Sequence, residues 1–441
     1  MSQAAAEDLP ITFRGAGRSY GDASLAEHGV VIDTTSLNRV TKWDKESGTF
    51  EGEPGVTIEQ MWRHTLSDGY WPKVVPGTMR PTLGGCVAMN IHGKNNFAVG
   101  GFGDQVEELD LVTPDGQLRT LSREREPEIF RAVIGGLGLL GAVTRVKLKL
   151  KKVNSGLLGV RALAGRSLGE MFGLFEANLA NADYLVGWID CFATGESLGR
   201  GQVHVAHYQT QEQDPDWQQS LRVDRQDLPS SMFGVPKRHL WRIMRPFMRD
   251  PIIALVNAAK YGKARFDHGD FYQQSHVAFA FLLDYVPDWR LAYGPAGFIQ
   301  YQVFVPHATA RECFADVLRI CREGDMTSYL GVMKRHRPDE FLLTHALDGW
   351  SLALDFPVRD VSENAWRARL AKVTDALTER VIAAGGRFYF AKDAVLRTSD
   401  VSRAFGNDRL ASFATLRDHL DPHSRLSSTL AERVFGRRGQ P

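Results

Sequence analysis

Glycine-rich segments recur four times in the first 141 residues, and they restrict the fold of this chain more than any other feature. The segments are Gly15–Gly21, Pro76–Thr78, Thr82–Gly85 and Gly135–Gly141. Glycine tolerates positive φ and lets backbone N–H groups approach a ligand closely, so such loops can bind a pyrophosphate. One segment alone indicates an ordinary tight turn. Four together predict loops that surround a large nucleotide.

The composition is that of a globular protein and excludes several other classes. Apolar residues make up 43% of the chain and charged residues 24%, which argues against disorder, collagen and coiled coils. Lys and Arg total 53 against 52 for Asp and Glu, so no overall positive charge favours nucleic acid. The four cysteines lack C-x-x-C spacing, which argues against a disulfide framework or metal site and predicts buried thiols.

The N-terminal residues show no targeting signal. Residues 1–10 lack the basic and apolar regions of a signal peptide, and no apolar run approaches the roughly 20 residues of a membrane-spanning helix. We therefore expect a cytoplasmic location or a peripheral one at the membrane, with the periplasmic face left open.

The first 150 residues predict short strands separated by turns. Thr57, with Gln60 three residues later, forms a capping-box pattern that starts a helix, and we expect this helix to end at Gly69. Strands are expected at Gly29–Asp33, Gly48–Glu53 and Ala142–Leu150, and a hairpin at residues 109–121.

From about residue 155 the strands become longer and richer in aromatic residues, so we place a domain boundary there. Strands are expected at Phe298–Val305 and Arg387–Phe390, and helices at Ala308–Arg322 and Ala365–Ala384. This part of the chain predicts a second, sheet-based domain.

Two short motifs match other enzyme classes but lack the flanking structure that those classes need. Gly17–Gly21 matches G-x-S-x-G, the motif of α/β-hydrolases, with Ser19 as nucleophile, but too little chain precedes it to form the required sheet. Gly136–Gly141 matches the dinucleotide motif G-x-G-x-x-G, but it follows a predicted helix and precedes a strand, the reverse of the Rossmann order. A hydrolase remains a remote alternative, and a Rossmann domain is rejected.

The glycine-rich segments and their neighbours resemble a known family. Arg14–Asp22, Pro76–Thr78, Gly84–Gly85 and Ile91–Asn95 are similar to the PCMH-type FAD-binding domain of the vanillyl-alcohol-oxidase superfamily. Later segments resemble the branch of that superfamily that oxidises polyprenylphosphoryl-ribose. These segments are Ala292–Gln302, Trp350, Asp355–Pro357 and Tyr389–Asp393.

The resemblance implies an α+β flavoprotein of two domains with FAD as its cofactor. Residues 1–155 would form an FAD-binding domain that is N-terminally short for the family. Residues 156–386 would form a substrate-binding domain with an antiparallel sheet, and residues 387–441 would return to the FAD domain. Many sugar oxidases of the superfamily attach the flavin to a histidine at the position of Arg18, so we expect non-covalent FAD here.

The resemblance also implies three overlapping sets of site residues. The residues expected to bind FAD are Arg14, Gly15, Ala16, Gly17, Arg18, Ser19, Tyr20, Gly21, Asp22, Gly77, Thr82, Leu83, Gly84, Gly85, Met89, Asn90, Ile91, His92, Val143 and Tyr389. Those expected to bind substrate are Lys94, Tyr293, Gln300, Gln302, Lys334 and Lys392. We expect Lys392, His92 and Tyr20 to be catalytic, because oxidation of an alcohol by a flavin needs polar groups that hold or accept the hydroxyl proton.

The implied reaction is oxidation of a sugar secondary hydroxyl, at C2′ of polyprenylphosphoryl-β-D-ribose. A partner short-chain reductase would return the 2′-keto product as the arabino epimer, the arabinose donor for cell-wall arabinan. Alternatives are a free-sugar, aldonolactone or alditol oxidase and, more remotely, a flavin-less binding protein. The chain has Ala353 where that branch has a cysteine that covalent inhibitors attack, so thiol-directed inhibition should fail.

Residues 237–256 interleave basic and aromatic side chains ahead of the apolar run Pro251–Val256. The pattern fits a segment that lies on an anionic bilayer or holds a lipid tail. It fits equally a solvated helix next to a buried one. A lipid-linked substrate would favour membrane contact.

Overall fold

The computed structural model describes residues 9–232, 234–358 and 364–437. Its strands are β1 (Ile11–Arg14), β2 (Val30–Asp33), β3 (Val40–Asp44), β4 (Thr49–Gly52), β5 (Tyr70–Trp71), β6 (Val106–Val112), β7 (Leu118–Ser122), β8 (Ala142–Lys149), β9 (Lys151–Lys152), β10 (Leu157–Gly165), β11 (Tyr184–Ile189), β12 (Gly201–Tyr208), β13 (Ser231–Met232), β14 (Val235–Pro236), β15 (Phe271–Ser275), β16 (Phe298–Pro306), β17 (Leu330–His336), β18 (Gly349–Pro357) and β19 (Arg387–Phe388). Its α-helices are α1 (Ile58–Thr65), α2 (Leu83–Ala88), α3 (Asn96–Val99), α4 (Pro127–Val133), α5 (Leu168–Glu176), α6 (Trp217–Ser220), α7 (Leu240–Met244), α8 (Asp250–Phe266), α9 (His276–Ala280), α10 (His307–Glu323), α11 (Asn364–Ala383), α12 (Thr398–Phe405), α13 (Asn407–Leu420) and α14 (Thr429–Phe435).

The first 150 residues fold around a five-stranded antiparallel sheet of order β3-β4-β8-β6-β7. The predicted hairpin is confirmed, because β6 and β7 pair directly. The sheet, α1, α2 and α4 share a core that contains the fully buried side chains of Phe50, Trp62 and Phe130. This core supports the glycine-rich loops that leave it.

Local signals form the first helix as predicted. The Thr57 side chain accepts from the Gln60 amide at 3.1 Å, and the Gln60 side chain accepts from the Thr57 amide at 2.8 Å. The α-helix ends at Thr65, and a 3₁₀ turn continues it to Gly69, whose φ is +78°. Gly69 therefore ends the helical segment, although its last turn is 3₁₀.

The second half is built on an eight-stranded antiparallel sheet of order β15-β10-β12-β11-β17-β18-β16-β19. Successive side chains of a strand point to opposite faces, and directly paired residues share a face. The observed register therefore gathers polar side chains from five strands on one face. They are His204, Trp188, Lys334, Ser351, Asp355, Gln300 and Gln302.

The opposite face of this sheet is apolar, and α5 and α10 cover it. Phe172 of α5 lies with its ring centroid 4.6 Å from Trp350 of β18 and 6.0 Å from Phe314 of α10. Because this face is buried in the apolar core, the polar face is the one available to a ligand.

The C-terminal residues return to the beginning of the described chain. β19 pairs with β16, and Leu426 bridges Ile11. The strand predicted at Arg387–Phe390 is only two residues long. It stops because the amides of Lys392 and Asp393 bond back to the Tyr389 carbonyl and turn the chain.

All four cysteines are buried free thiols, as predicted. Within the described ranges, no helix is both long and apolar enough to cross a bilayer.

Candidate active site

A large cleft lies between the glycine-rich loops and the polar face of the eight-stranded sheet. Its cavity volume is about 530 Å³. This volume lies within the roughly 300–1,000 Å³ of ordinary ligand pockets. The cleft therefore has the size of a ligand-binding site.

Glycine is required in the first glycine-rich loop, residues 15–21, where this loop packs against neighbouring residues. A Cβ on Gly15 would lie 2.2 Å from Thr82 Oγ1, and a Cβ on Gly21 would lie 2.0 Å from the Asp393 carbonyl oxygen. Gly17 has a φ of +59°. In the described part of the chain, the amides of residues 15–19 donate to no other protein group. These amides are therefore available to an anionic ligand.

Arg433 fixes the first loop from 411 residues further along the chain. It donates to both carboxylate oxygens of Asp22, at 2.9 and 2.8 Å, and to Asp393 at 2.7 Å. The Tyr20 amide also donates to the Ala391 carbonyl at 2.9 Å. Bidentate pairs fix geometry as well as charge, so the loop and the segment after β19 form one rigid frame.

Lys392 and Asp355 are titratable groups that interact within the cleft. Nζ of Lys392 lies 3.2 Å from the centroid of the Tyr20 ring. Asp355 Oδ1 accepts from Gln300 Nε2 at 2.5 Å, whereas Oδ2 has no partner among the described residues. Burial lowers the pKa of Lys392 and raises the pKa of Asp355, and their mutual attraction opposes both shifts. The cleft thus holds an amine that loses its proton more readily than an ordinary lysine.

His92 is a neutral histidine with one free N–H group. Its Nε2 lies 2.9 Å from Gln302 Nε2, and because an amide nitrogen can only donate, this ring nitrogen accepts. Burial, together with the charge of Lys334, lowers the pKa of His92 far below its usual value. The proton therefore sits on Nδ1, which has no partner among the described residues. This donor suits a hydrogen-bond acceptor in the cleft.

Lys94 and Lys334 add positive charge to the cleft. Burial lowers the pKa of Lys94 to about 7 and of Lys334 to about 8. Lys94 Nζ donates to the Phe279 carbonyl and lies 4.3 Å from the centroid of that ring. Among the described residues that line the cleft, Asp355 is the only one with an acidic side chain. The cleft is therefore electropositive.

Most residues predicted to bind FAD or substrate line this cleft. They are Gly15, Ala16, Gly17, Arg18, Ser19, Tyr20, Gly77, Thr82, Gly84, Gly85, Met89, Ile91, His92, Val143, Tyr389, Lys94, Gln300, Gln302, Lys334 and Lys392. The structure thus brings together residues that are up to 377 positions apart in the sequence, from Gly15 to Lys392. Which of them touch a ligand stays a prediction.

Six predicted residues lie outside the cleft lining, and their contact with the cofactor or substrate stays a prediction. They are Arg14, Gly21, Asp22, Leu83, Asn90 and Tyr293. Neighbouring protein groups occupy them: the Asn90 side chain, for example, donates to Asp339 at 2.9 Å and accepts from the Gly103 amide at 3.0 Å. Such residues support the cleft from behind.

The other five residues also contact neighbouring protein groups. Arg14 donates to Ser24 at 3.3 Å, and Asp22 accepts from Arg433. Leu83 is fully buried in the core, and Gly21 packs on the segment after β19. Tyr293 stacks on Phe298, with ring centroids 4.7 Å apart.

Sequence reasoning missed Lys260, His204 and Trp188, which line the cleft, and it gave Asp355 no role. A single acid inside the apolar strand Leu352–Phe356 was a usable signal for Asp355. His204 follows the period-two alternation of β12. Nothing local marks Lys260, because its position depends on how α8 packs on the sheet.

The cleft fits FAD. The unpaired amides of residues 15–19 suit its pyrophosphate, and the free His92 Nδ1–H and the unpartnered Arg18 Nε suit its acceptor atoms. Bound FAD supplies a two-electron acceptor for an alcohol C–H.

Comparison with known proteins agrees with this geometry. Residues 1–122 match the family described as FAD binding domain. The chain is an FAD-dependent oxidoreductase with a PCMH-type FAD-binding domain.

Similarity to one characterised oxidase extends over nearly the whole chain. The chain is 29% identical to decaprenylphosphoryl-beta-D-ribose oxidase of Mycolicibacterium smegmatis over 432 residues, which is 96% of this chain and 89% of that protein. It is 27% identical to an uncharacterised protein of Streptomyces coelicolor, over 86% of this chain and all of that protein. Cytokinin dehydrogenase 6 of Oryza sativa subsp. japonica is 35% identical over only 34% of this chain and 30% of its own length.

Proposed function

We propose that the protein oxidises the C2′ hydroxyl of a polyprenylphosphoryl-β-D-ribose to the 2′-keto sugar, the first half of an epimerisation to an arabinose donor. The charge of the cleft carries the proposal. Among the described residues, four lysines line it against one carboxylate: Lys94, Lys260, Lys334 and Lys392. Apart from Lys392, whose amine is the proposed base, these lysines bring positive charge that a neutral sugar or aldonolactone would leave unpaired, whereas a phosphate-bearing substrate offsets it.

Lys392 accepts the hydroxyl proton in this proposal. Its lowered pKa, caused by burial, provides more of the neutral amine near neutral pH. Gln300 and Gln302 face the same space and orient the sugar hydroxyls. Gln300 and Gln302 lie two residues apart on β16 and therefore point to the same face of the sheet.

The product retains its phosphate and lipid and is a ketone that only a hydride donor can return to an alcohol. We therefore propose a partner short-chain reductase that completes the epimerisation. The requirement follows from the chemistry of the product, since the oxidation alone inverts no centre.

Exposed apolar side chains on α7 and α8 suit a lipid-linked substrate. α8 exposes Leu255 and Val256, with 71% and 52% of their surfaces accessible, and α7 exposes Ile243 with 50%. Arg242 and Arg245 accompany them in sequence. We propose that residues 237–256 contact an anionic bilayer peripherally, since basic and apolar groups together favour such a surface.

Substrate-dependent bleaching of the flavin tests the proposed function. Under anaerobic conditions, farnesylphosphoryl-ribose should abolish the visible flavin absorbance, because two electrons per flavin leave the sugar. Ribose, an aldonolactone and an alditol at equal concentration should leave the spectrum unchanged, because none brings the phosphate. The spectrum of the FAD-loaded protein is the measurement.

Dithionite serves as the control in the same cuvette, since it reduces any competent flavin. Bleaching by an aldonolactone or alditol, with none by farnesylphosphoryl-ribose, would replace the proposal with the corresponding free-substrate oxidase. A protein that takes up no FAD at all would contradict the assignment of the cleft.

The flavin should be releasable by acid. Arg18 stands where many sugar oxidases of the superfamily carry a flavin-linked histidine, and a guanidinium forms no such bond. Precipitation with trichloroacetic acid should therefore leave all the yellow colour in the supernatant. Colour in the washed pellet, with a flavin-bearing peptide by mass spectrometry, would show a covalent link.

A further inference from the structure

One corner of the cleft contains polar groups with no assigned role. His204 of β12 and Trp188 of β11 lie on the polar face of the sheet, where His204 pairs with Val186 and Trp188 with Gln202. Lys260 reaches this corner from α8, and its Nζ lies 3.9 Å from the centroid of the Trp188 ring. All three side chains line the cleft.

Lys94 approaches the same corner from the first half of the chain. Its carbonyl accepts from the Leu185 amide of β11 at 3.0 Å, which anchors its backbone one residue from Val186. The charges of Lys94 and Lys260 both lower the pKa of His204. Two ammonium groups therefore act on one imidazole, and the charges that act on Lys94 and His204 are all positive.

The two faces of α8 differ in chemistry. Asn257, Tyr261 and Ala264 are buried towards the sheet, and Lys260 lies beside them at helical spacing. Leu255 and Phe266, 71% and 90% exposed, lie on the other side. Arg200 anchors the helix, with its guanidinium 4.5 Å from the Tyr261 ring centroid. One helix thus presents an ammonium group to the cleft and apolar side chains to the outside.

We propose that Lys260, Lys94 and His204 form an anion subsite that binds the phosphate of a lipid-linked substrate, and that Lys260 selects for that phosphate. The subsite rests on the proposed function for the identity of the whole substrate. Its geometry is separate from the polar groups around Lys392, on strands β16 and β18. The phosphate would bind beneath α8, and the lipid would leave the cleft along the exposed apolar side of that helix.

Lys260→Met tests the subsite. Methionine keeps an unbranched apolar side chain against the Trp188 ring and removes the charge. In calorimetric titrations of the FAD-loaded protein with farnesyl phosphate, the Kd should rise roughly 10-fold or more, as expected for loss of a hydrogen bond to a charged group. With farnesylphosphoryl-ribose, KM should rise while kcat changes less than about twofold, because the lost contact is equal in ground and transition states.

Lys263→Met is the matched control. Lys263 lies one turn further on the same helix with its side chain 77% exposed, so removal of its charge should leave both Kd and KM unchanged. Lys260→Arg should restore most of the affinity, which a purely structural defect would not allow. Equal Kd values for wild type and Lys260→Met, with the flavin spectrum intact, would overturn the subsite.

Two further ligands identify what is recognised. Farnesol should bind equally to wild type and Lys260→Met, because it lacks the anion. Inorganic phosphate should bind weakly, and binding as tight as that of farnesyl phosphate would show a site for free phosphate and contradict the lipid-linked ligand.

The subsite and the proposed function fail differently. If farnesylphosphoryl-ribose does not reduce the flavin but Lys260→Met still weakens farnesyl phosphate binding, the function is wrong and the subsite stands. If the substrate reduces the flavin and Lys260→Met leaves both Kd and KM unchanged, the function stands and the subsite is wrong.

Discussion

Replacing Lys392 by methionine should slow substrate-dependent reduction of the bound flavin by roughly 10²–10⁴-fold, the usual contribution of a general base. Nζ of Lys392 lies over the Tyr20 ring and within the field of Asp355, where burial favours the neutral amine. Methionine retains the apolar stem and removes the amine. Anaerobic stopped-flow absorbance with farnesylphosphoryl-ribose gives the rate, and the visible spectrum before mixing should show that FAD remains bound.

The pH dependence distinguishes a base from a fixed charge. Because the pKa of Lys392 is lowered from 10.5, the neutral fraction grows as pH rises through the lowered value. The reduction rate of the wild type should therefore rise with pH and level off below pH 10.5. Lys392→Arg keeps the charge but cannot accept a proton near neutral pH. Full activity in that variant, or a rate that falls as pH rises, would assign Lys392 to charge stabilisation instead.

Sequence alone was sufficient for the loops because their requirement is local. Gly17 has a positive φ and would meet Arg14 only three residues away, and the capping box at Thr57 depends on four consecutive residues. The strand predicted at Phe298–Val305 is likewise confirmed as part of β16. Where residues close in sequence stabilise a local structure, the sequence pattern predicts that structure correctly.

The frame behind the first loop could not be predicted. Asp22 is bound by Arg433, and no local pattern connects residues 411 positions apart. The Asn90 side chain likewise donates to Asp339 and accepts from the Gly103 amide, which no sequence pattern predicts. A buried polar side chain takes whichever partner the tertiary fold supplies, and that choice is invisible in the sequence.

The electropositive cleft was only partly predictable. Lys94, Lys334 and Lys392 were found through their motifs, whereas Lys260 lies just beyond residues 237–256, the segment with two open interpretations, a membrane-facing segment and a solvated helix next to a buried one. In the structure, α8 has buried residues on one side and strongly exposed apolar residues on the other. A wholly solvated helix would not be expected to expose so many apolar side chains. The observation favours the lipid-facing interpretation, which stays a proposal.

Gly21 is the glycine of the first loop that has the least space for an added Cβ. A Cβ there would lie 2.0 Å from the Asp393 carbonyl oxygen and 3.1 Å from its carbonyl carbon. Both atoms belong to the backbone, and Arg433 fixes Asp393 and Asp22 at the same time. Neither the first loop nor the Asp393 backbone can move aside without breaking the ion pairs that Arg433 makes. An added methyl group must therefore displace the loop whose amides face the cleft.

Gly21→Ala should consequently abolish stable FAD binding and lower the free energy of unfolding by about 1–3 kcal/mol, the usual cost of overpacking. The colour retained after gel filtration and a thermal melt of the FAD-free protein measure the two effects separately. Gly173→Ala is the matched control: it lies in α5, its Cβ would meet nothing within 4 Å, and alanine in a helix is slightly stabilising. If Gly21→Ala retains FAD as tightly as Gly173→Ala does, the position of the first loop is not what makes the cleft bind its cofactor.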